Sequence, residues 1–180
     1  MRVLYLYAGK RRERFQGTPG KDFPDTQLYG LNHLNKLGLE AEYKEFSDVF
    51  HSRFLEGLLS FNMRHALMYF GIRGYDIVFG SALLPMMIFK KLFGGNSIFV
   101  LLNISLARTL KKNTRQTIKG RFIRTLLKEV DAIMCFSRSQ REYLITIESY
   151  PQEKIFIVGQ GVDTNYFTAA PRQDSGMILS

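Results

Sequence analysis

The chain has 180 residues, of which 46% are apolar, and its 25 Lys and Arg against 16 Asp and Glu give a formal net charge of +9. This length and composition predict one globular domain that is large enough to bury a core. The single cysteine, Cys135, excludes a disulfide framework, and no apolar stretch approaches the roughly 20 residues that a membrane-spanning helix needs. Because the first apolar run is short and Lys10 follows it closely, it does not match a secretory signal, and we expect a cytoplasmic protein.

Short apolar runs alternate with helical patterns along the chain. The patterns predict strands over residues 2–8, 40–46, 75–80, 97–103, 132–136 and 155–158. They predict helices over residues 26–37, 50–70, 83–93, 117–130 and 138–147. Because strand and helix alternate throughout, we expect a three-layer α/β domain in which helices cover both faces of a parallel sheet.

Ligands of an open parallel sheet bind beyond the carboxyl ends of its strands. The positions that follow the predicted strands are therefore candidate site residues: Gly17, Gly20, Ser81, Asn103, Arg108, Ser137 and Gly161. Gly17 and Gly20 could bring backbone amides close to a phosphate or a sugar, or could serve only as turn glycines. They match neither the dinucleotide-binding nor the Walker pattern.

Two of these positions also have a structural explanation. Ser137, with Gln140 three residues later, has the spacing of a capping box at a helix start. Gly161 is expected at a positive φ angle, with Asp163 capping the following turn. Each could shape the fold, contact a ligand, or do both.

No metal site is expected from the sequence. The histidines His33, His51 and His65 lie in helical patterns without a second ligand at metal-binding spacing. Neither a Ser-His-Asp arrangement nor a paired-carboxylate motif is apparent.

The positive charge is concentrated in one segment. No acidic residue lies between Asp76 and Glu129, whereas ten of the 25 basic residues do. A loop at the mouth of the expected cleft would hold four of them: Arg108, Lys111, Lys112 and Arg115. The pattern from Arg108 to Lys128 is typical of contact with an anionic membrane surface or a phosphorylated substrate. A solvated amphipathic helix is the alternative, and nucleic acid is the least expected partner.

Four segments near the end of the chain occur in a characteristic order: Asp131-Ala-Ile-Met-Cys-Phe-Ser137, Gln140-Arg-Glu-Tyr-Leu144, Glu153-Lys-Ile155 and Gly161-Val-Asp-Thr-Asn-Tyr-Phe167. This order resembles the N-terminal domain of a family 4 glycosyltransferase with the GT-B fold. The family's NGVDTxxF motif has Gln160 in place of its asparagine here. Residues 1–6 are similar to the family's first strand, and 28–39 to the helix that follows.

The resemblance implies a retaining transfer of sugar from a nucleotide-sugar donor to a sugar, lipid or other acceptor, with neither cofactor nor metal. It implies that residues 1–168 form a Rossmann-like acceptor-binding domain, one half of a GT-B architecture. Residues 169–180 would be the linker and the start of a donor-binding domain that holds most of the nucleotide. The localisation would be cytoplasmic, or peripheral at the inner face of the membrane.

Many family members carry a histidine after the fourth strand, where this chain has Asn103. The resemblance therefore places Asn103 beside the transferred sugar, although an amide cannot titrate. Arg108, with Lys111 and Lys112, would hold an anionic acceptor, and Ser81, Ser137 and Gly161 would line the cleft. The alternative is a non-catalytic α/β binding or regulatory module with a basic contact surface.

Overall fold

A computed structural model describes residues 1–7, 30–45 and 61–159. Within these ranges six strands form one sheet in the order β2-β1-β3-β4-β5-β6. The strands are β1 Arg2–Tyr7, β2 Glu40–Glu45, β3 Ile77–Gly80, β4 Ile98–Leu102, β5 Ala132–Cys135 and β6 Ile155–Ile157. Every neighbouring pair is parallel, which confirms the predicted sheet.

The helices in the described ranges connect these strands. They are α1 Leu31–Leu34, α2 Phe61–Gly71, α3 Met87–Phe93, α4 Leu106–Lys112, α5 Ile118–Lys128 and α6 Arg138–Glu142. The 3₁₀ turn Asn35–Leu37 and the π-helical turn Tyr143–Ile147 extend helices, the 3₁₀ turn Leu84–Met86 precedes α3, and the 3₁₀ turn Gln152–Lys154 precedes β6. None of these described helices has the length and apolar character that a bilayer crossing requires.

The side chains of β1 alternate between two cores. Val3, Tyr5 and Tyr7 pack with Leu31 on one face of the sheet. Leu4 and Leu6 belong to the larger core on the other face, which the helices α2, α3 and α5 cover. A strand buried on both faces must be apolar at every position, which explains its unbroken apolar run. The predicted three-layer α/β architecture, Rossmann-like in its parallel sheet, is confirmed.

Glycine ends two of the predicted helices. Gly38 follows the first helical segment with φ of 76°, and Gly94 follows α3 with φ of 65°. Because a residue without Cβ adopts this left-handed conformation at little cost, glycine is the common residue after a helix end. The sequence placed both helix ends correctly.

The segment after β4 is helical, which corrects the prediction of a basic loop there. Leu106 and Leu110 lie one helical turn apart in α4, and both are buried. The Thr109 hydroxyl donates to the Ser105 carbonyl oxygen at 3.1 Å. The short apolar stripe is hard to recognise in the sequence because basic residues surround it.

The helix predicted over 138–147 changes its hydrogen bonding midway. It begins as α6 and becomes a π-helical turn over Tyr143–Ile147, where the Glu148 N–H donates to the Tyr143 carbonyl oxygen at 3.3 Å. Such a turn holds one extra residue, and it often marks a position with a special structural role. Here it carries the chain to Glu148, which points back towards α5.

Candidate functional site

The carboxyl ends of the central strands lie side by side. Gly80 pairs in register with Leu6 of β1 and with Leu101 of β4, and Leu102 pairs with Met134 of β5. Three predicted site residues therefore follow adjacent strands at one edge of the sheet: Ser81, Asn103 and Ser137. Gly17, Gly20 and Gly161 lie outside the described residues, as does the predicted linker 169–180.

Successive strands are added to the sheet on different sides of β1. β2 lies on one side of β1, and β3 with all later strands lies on the other. A crevice at the carboxyl edge commonly forms at such a point, between β1 and β3 here. A Cβ on Gly80 would meet the Leu6 carbonyl oxygen at 2.8 Å, so the two strands fit closely only with glycine at this position. The half-buried Ser81 follows directly.

Asn103 is held between β4 and β5. Its backbone N–H donates to the Met134 carbonyl oxygen at 2.9 Å, and its Nδ2 donates to the Cys135 Sγ at 3.5 Å. The residue is 1% exposed, and its Oδ1 is buried without a hydrogen-bond partner in the described part of the chain. A buried amide oxygen without a partner carries a cost of about 1–3 kcal/mol. The amide can therefore accept one further hydrogen bond from a group that reaches it.

Cys135 is an apolar neighbour of this amide rather than a reactive thiol. Burial raises the pKa of the Cys135 thiol, and the hydrogen bond from Asn103 lowers it to a smaller extent. A thiol without thiolate character is a weak nucleophile and a weak metal ligand.

Ser137 caps α6. The Gln140 N–H donates to the Ser137 Oγ at 3.2 Å, and the Gln140 Oε1 accepts from the Phe136 N–H at 2.8 Å. The reciprocal pattern of a capping box is present, but the return bond reaches the residue before the cap. Ser137 Oγ also lies 3.1 Å from the Ser139 Oγ. Its structural role is thus confirmed, while its contact with a ligand remains a prediction.

The basic residues predicted for an acceptor lie on α4. Arg108, Lys111 and Lys112 are exposed, and because they are three and four residues apart they share one side of the helix. The Lys111 Nζ lies 5.3 Å from the centre of the Tyr143 ring, a cation–π contact. A helix fixes the spacing of these charges more firmly than the expected loop would.

One basic residue of the segment has a structural role that sequence reasoning missed. Arg124 forms a two-point ion pair with Glu148, whose side chain is only 2% exposed. The Arg124 guanidinium also donates to the Asn113 carbonyl oxygen at 2.7 Å and so joins α5 to the end of α4. No local signal could have revealed the pair, because its members are 24 residues apart.

A cavity of about 410 Å³ lies at the opposite, amino edge of the sheet. Most of its polar groups are already hydrogen-bonded within the protein. The Tyr69 hydroxyl donates to the Gly94 carbonyl oxygen, and the Ser97 hydroxyl donates to the Tyr75 carbonyl oxygen at 2.7 Å. The Asp76 carboxylate accepts from the Arg2 N–H at 2.7 Å. Few groups remain to recognise a ligand, so the carboxyl edge is the better candidate site.

Among the described residues, no group of three or more His, Cys, Asp or Glu side chains is placed to hold a metal ion. No family model matches the sequence. No curated protein matches it either.

One solved structure with a similar fold is Anabaena Alr3699/HepE, crystallised in complex with UDP. The two chains are 15% identical, and the TM-score is 0.47. The similarity covers 92% of this chain and 45% of that protein, so this chain spans less than half of its length. A likeness at this level does not assign the chain to a family.

Proposed function

We propose that this chain is the acceptor-binding half of a retaining glycosyltransferase of family 4, with the GT-B architecture. The observation that carries the proposal is the convergence of Ser81, Asn103 and Ser137 at the carboxyl edge of one parallel sheet. Ser137 ends the segment from Asp131 whose sequence resembles that family, and Asn103 stands where many of its members carry a histidine. In the complete enzyme the donor would be a nucleotide sugar, held mainly by a second domain.

The motifs of the resemblance have clear structural roles here. The Asp131 Oδ2 accepts from the Phe99 N–H at 2.7 Å and from the Lys90 Nζ, which joins β5 to β4 and α3. Ser137 caps α6, and Leu144 is buried. These residues support the likeness of fold. The chemistry of transfer needs separate support, because fold alone fixes no reaction.

In the proposed enzyme this half would position the acceptor rather than exchange protons. Asn103 would accept a hydrogen bond from a sugar hydroxyl through its Oδ1, and Arg108 with Lys112 would hold an anionic acceptor group. Holding the reacting groups in the right geometry can lower the barrier by several kcal/mol, about 7–11 in the best cases. Stabilisation of the departing diphosphate would come from the donor-binding half.

The experiment that tests the proposal compares the full-length gene product with the 180-residue chain on a panel of nucleotide sugars. Donor hydrolysis and transfer are both measured. We expect turnover by the long form and little by the short one. A full-length protein with a folded second domain and no turnover on any donor would contradict the proposal.

A second candidate function is a non-catalytic binding module, and the burial of Asn103 favours it. With 1% of the residue exposed, the amide is not open to solvent in this structure. Under this alternative Asn103 only joins β4 to β5 through Met134 and Cys135. Absence of transfer by the full-length gene product on every nucleotide sugar would support this alternative, and transfer on any of them would exclude it.

A further inference from the structure

The outer face of α5 presents two large apolar side chains to solvent. Ile118 is 89% exposed and Phe122 is 50% exposed. Because they are four residues apart on a helix, they lie next to each other on one side. Gly120 and Leu127, which are buried, lie on the opposite side of α5.

Basic side chains surround this apolar pair. Lys119, Arg121 and Lys128 are all exposed on α5. The Arg121 Nε donates to the Arg115 carbonyl oxygen at 3.0 Å, and its guanidinium remains exposed. No acidic residue occurs in α5 or anywhere between Asp76 and Glu129 in the sequence. The face is therefore apolar at its centre and positively charged at its rim.

Not every charge of the segment belongs to this face. Arg124 is engaged with Glu148 on the inner side, and the Arg115 Nη2 lies 3.6 Å from the same carboxylate. These two cations hold the helix in place. The residues Ile118, Lys119, Arg121, Phe122 and Lys128, here called the α5 outer face, are the ones available to a partner.

We propose that the α5 outer face docks on an anionic membrane surface. Ile118 and Phe122 insert at the level of the headgroups, and the lysine and arginine stems extend past them so that their charges meet lipid phosphates. The positive charge calls for an anionic partner, and the exposed apolar pair favours a membrane over a nucleic acid, because an exposed isoleucine gains nothing from contact with a phosphate backbone. Each basic residue near an anionic leaflet strengthens binding by about fivefold.

The docking face is preformed. The Arg124–Glu148 pair fixes α5, and Gly120 lies so close to the loop before the helix that a Cβ there would meet the Thr114 carbonyl oxygen at 1.9 Å. The helix content of the chain should therefore not rise on binding. A disordered basic segment, in contrast, would gain helix at the membrane.

The topology also sets which edge of the sheet approaches the membrane. α5 ends at Lys128, and β5 starts at Ala132, at the amino edge. A helix of this length extends about 16 Å, so Ile118 and Phe122 lie towards the carboxyl edge. Docking would bring the candidate site close to the lipid surface. The membrane contact goes beyond the proposed sugar transfer and does not depend on it.

The test is sedimentation of the 180-residue chain with vesicles, without donor or acceptor. We expect binding to phosphatidylcholine vesicles that contain about 30% phosphatidylglycerol, weak binding to pure phosphatidylcholine, and a steep loss in high salt. Lys119→Gln with Arg121→Gln should weaken binding about 25-fold. Ile118→Ser with Phe122→Ser should weaken it about tenfold or more.

Two matched variants serve as controls. Leu92→Ser removes an equally prominent apolar side chain, 68% exposed, from α3, and Lys36→Gln removes an exposed charge near β2. Both should bind as the parent chain does, and circular dichroism should show that all variants fold. Equal losses in the controls and in the α5 variants would overturn the proposal. So would α5-dependent binding to a 20-nucleotide RNA without binding to vesicles.

Discussion

Arg124 and Glu148 lie 24 residues apart in the sequence and meet at two points, with Nε–Oε2 at 2.6 Å and Nη2–Oε1 at 2.7 Å. The Tyr143 hydroxyl donates to the same carboxylate at 3.1 Å. Through this pair the π-helical turn after α6 is joined to α5 and to the end of α4. The sequence predicts that the basic segment around Arg124 binds an anionic partner, but in the structure Arg124 links two helical segments.

Loss of Arg124 should destabilise the fold. Arg124→Ala leaves the buried Glu148 carboxylate without its main partner, and breaking such a pair costs about 3–5 kcal/mol. Urea unfolding measures the change. The exposed Arg121→Ala should change the free energy of unfolding by less than about 0.5 kcal/mol. Replacing both partners, as Arg124→Met with Glu148→Leu, should recover much of the loss. Equal effects of Arg124→Ala and Arg121→Ala would show that the ion pair does not stabilise the protein.

The same carboxylate should make stability depend on acid pH. Burial by itself would raise the pKa of Glu148, but hydrogen bonds from Arg124 and Tyr143 outweigh it and the net pKa lies below the ordinary value of 4.5. Because the folded state binds the proton less readily, the stabilisation is present above pH 4.5 and is lost as the pH falls below it. Melting curves should show a smaller loss between pH 5 and 3 for Glu148→Gln. A loss as large as that of the parent chain would contradict this assignment.

Gly120 should not tolerate a side chain. A Cβ would meet the Thr114 carbonyl oxygen at 1.9 Å and the Asn113 carbonyl oxygen at 2.7 Å, both backbone atoms. Gly120→Ala should therefore cost about 3 kcal/mol, although alanine favours a helix by about 1 kcal/mol over glycine. Gly159→Ala is the control, since nothing lies within 4 Å of the added carbon. A Gly120→Ala variant as stable as this control would show that the helix can shift freely.

Variants of Asn103 can distinguish a structural role of its amide from a functional one. Because its Oδ1 is buried without a hydrogen-bond partner among the described residues, Asn103→Leu should change stability by less than about 1 kcal/mol. Asn103→Asp should be clearly less stable, since it buries a charge. In the proposed enzyme, Asn103→Leu should lower the transfer rate if the amide meets the sugar. Thermal melting and initial rates, measured on the same variants, check both expectations.

The cap of α6 should contribute a modest amount. Ser137→Ala removes the acceptor for the Gln140 N–H and should cost about 1 kcal/mol. Ser137→Asp keeps a capping oxygen and should preserve stability. If Ser137 also contacts a ligand, both variants should weaken acceptor binding in the proposed enzyme, measured by titration calorimetry. Unchanged affinity in both would limit Ser137 to its structural role.

The sequence determined the alternation of strands and helices, because burial of one face of a helix, or of both faces of a strand, requires apolar residues at regular positions in a local stretch. The unbroken apolar run of β1 predicted a strand covered on both faces, and Ser137 with Gln140 predicted a helix cap. The alternation of strands and helices predicted a parallel sheet, in which the carboxyl ends of all strands lie at one edge. Ser81, Asn103 and Ser137 could therefore be placed at a common edge.

Only the tertiary structure decided which charges are structural and which face solvent. Arg124 and Arg121 look alike in the sequence, yet one is bonded to a buried carboxylate and the other lies on the outer face. It also decided that α4 is a helix and that the Asn103 amide is buried against Cys135. These outcomes depend on contacts between residues far apart in the chain, and the free energy of such contacts leaves no periodic trace in a local stretch of sequence.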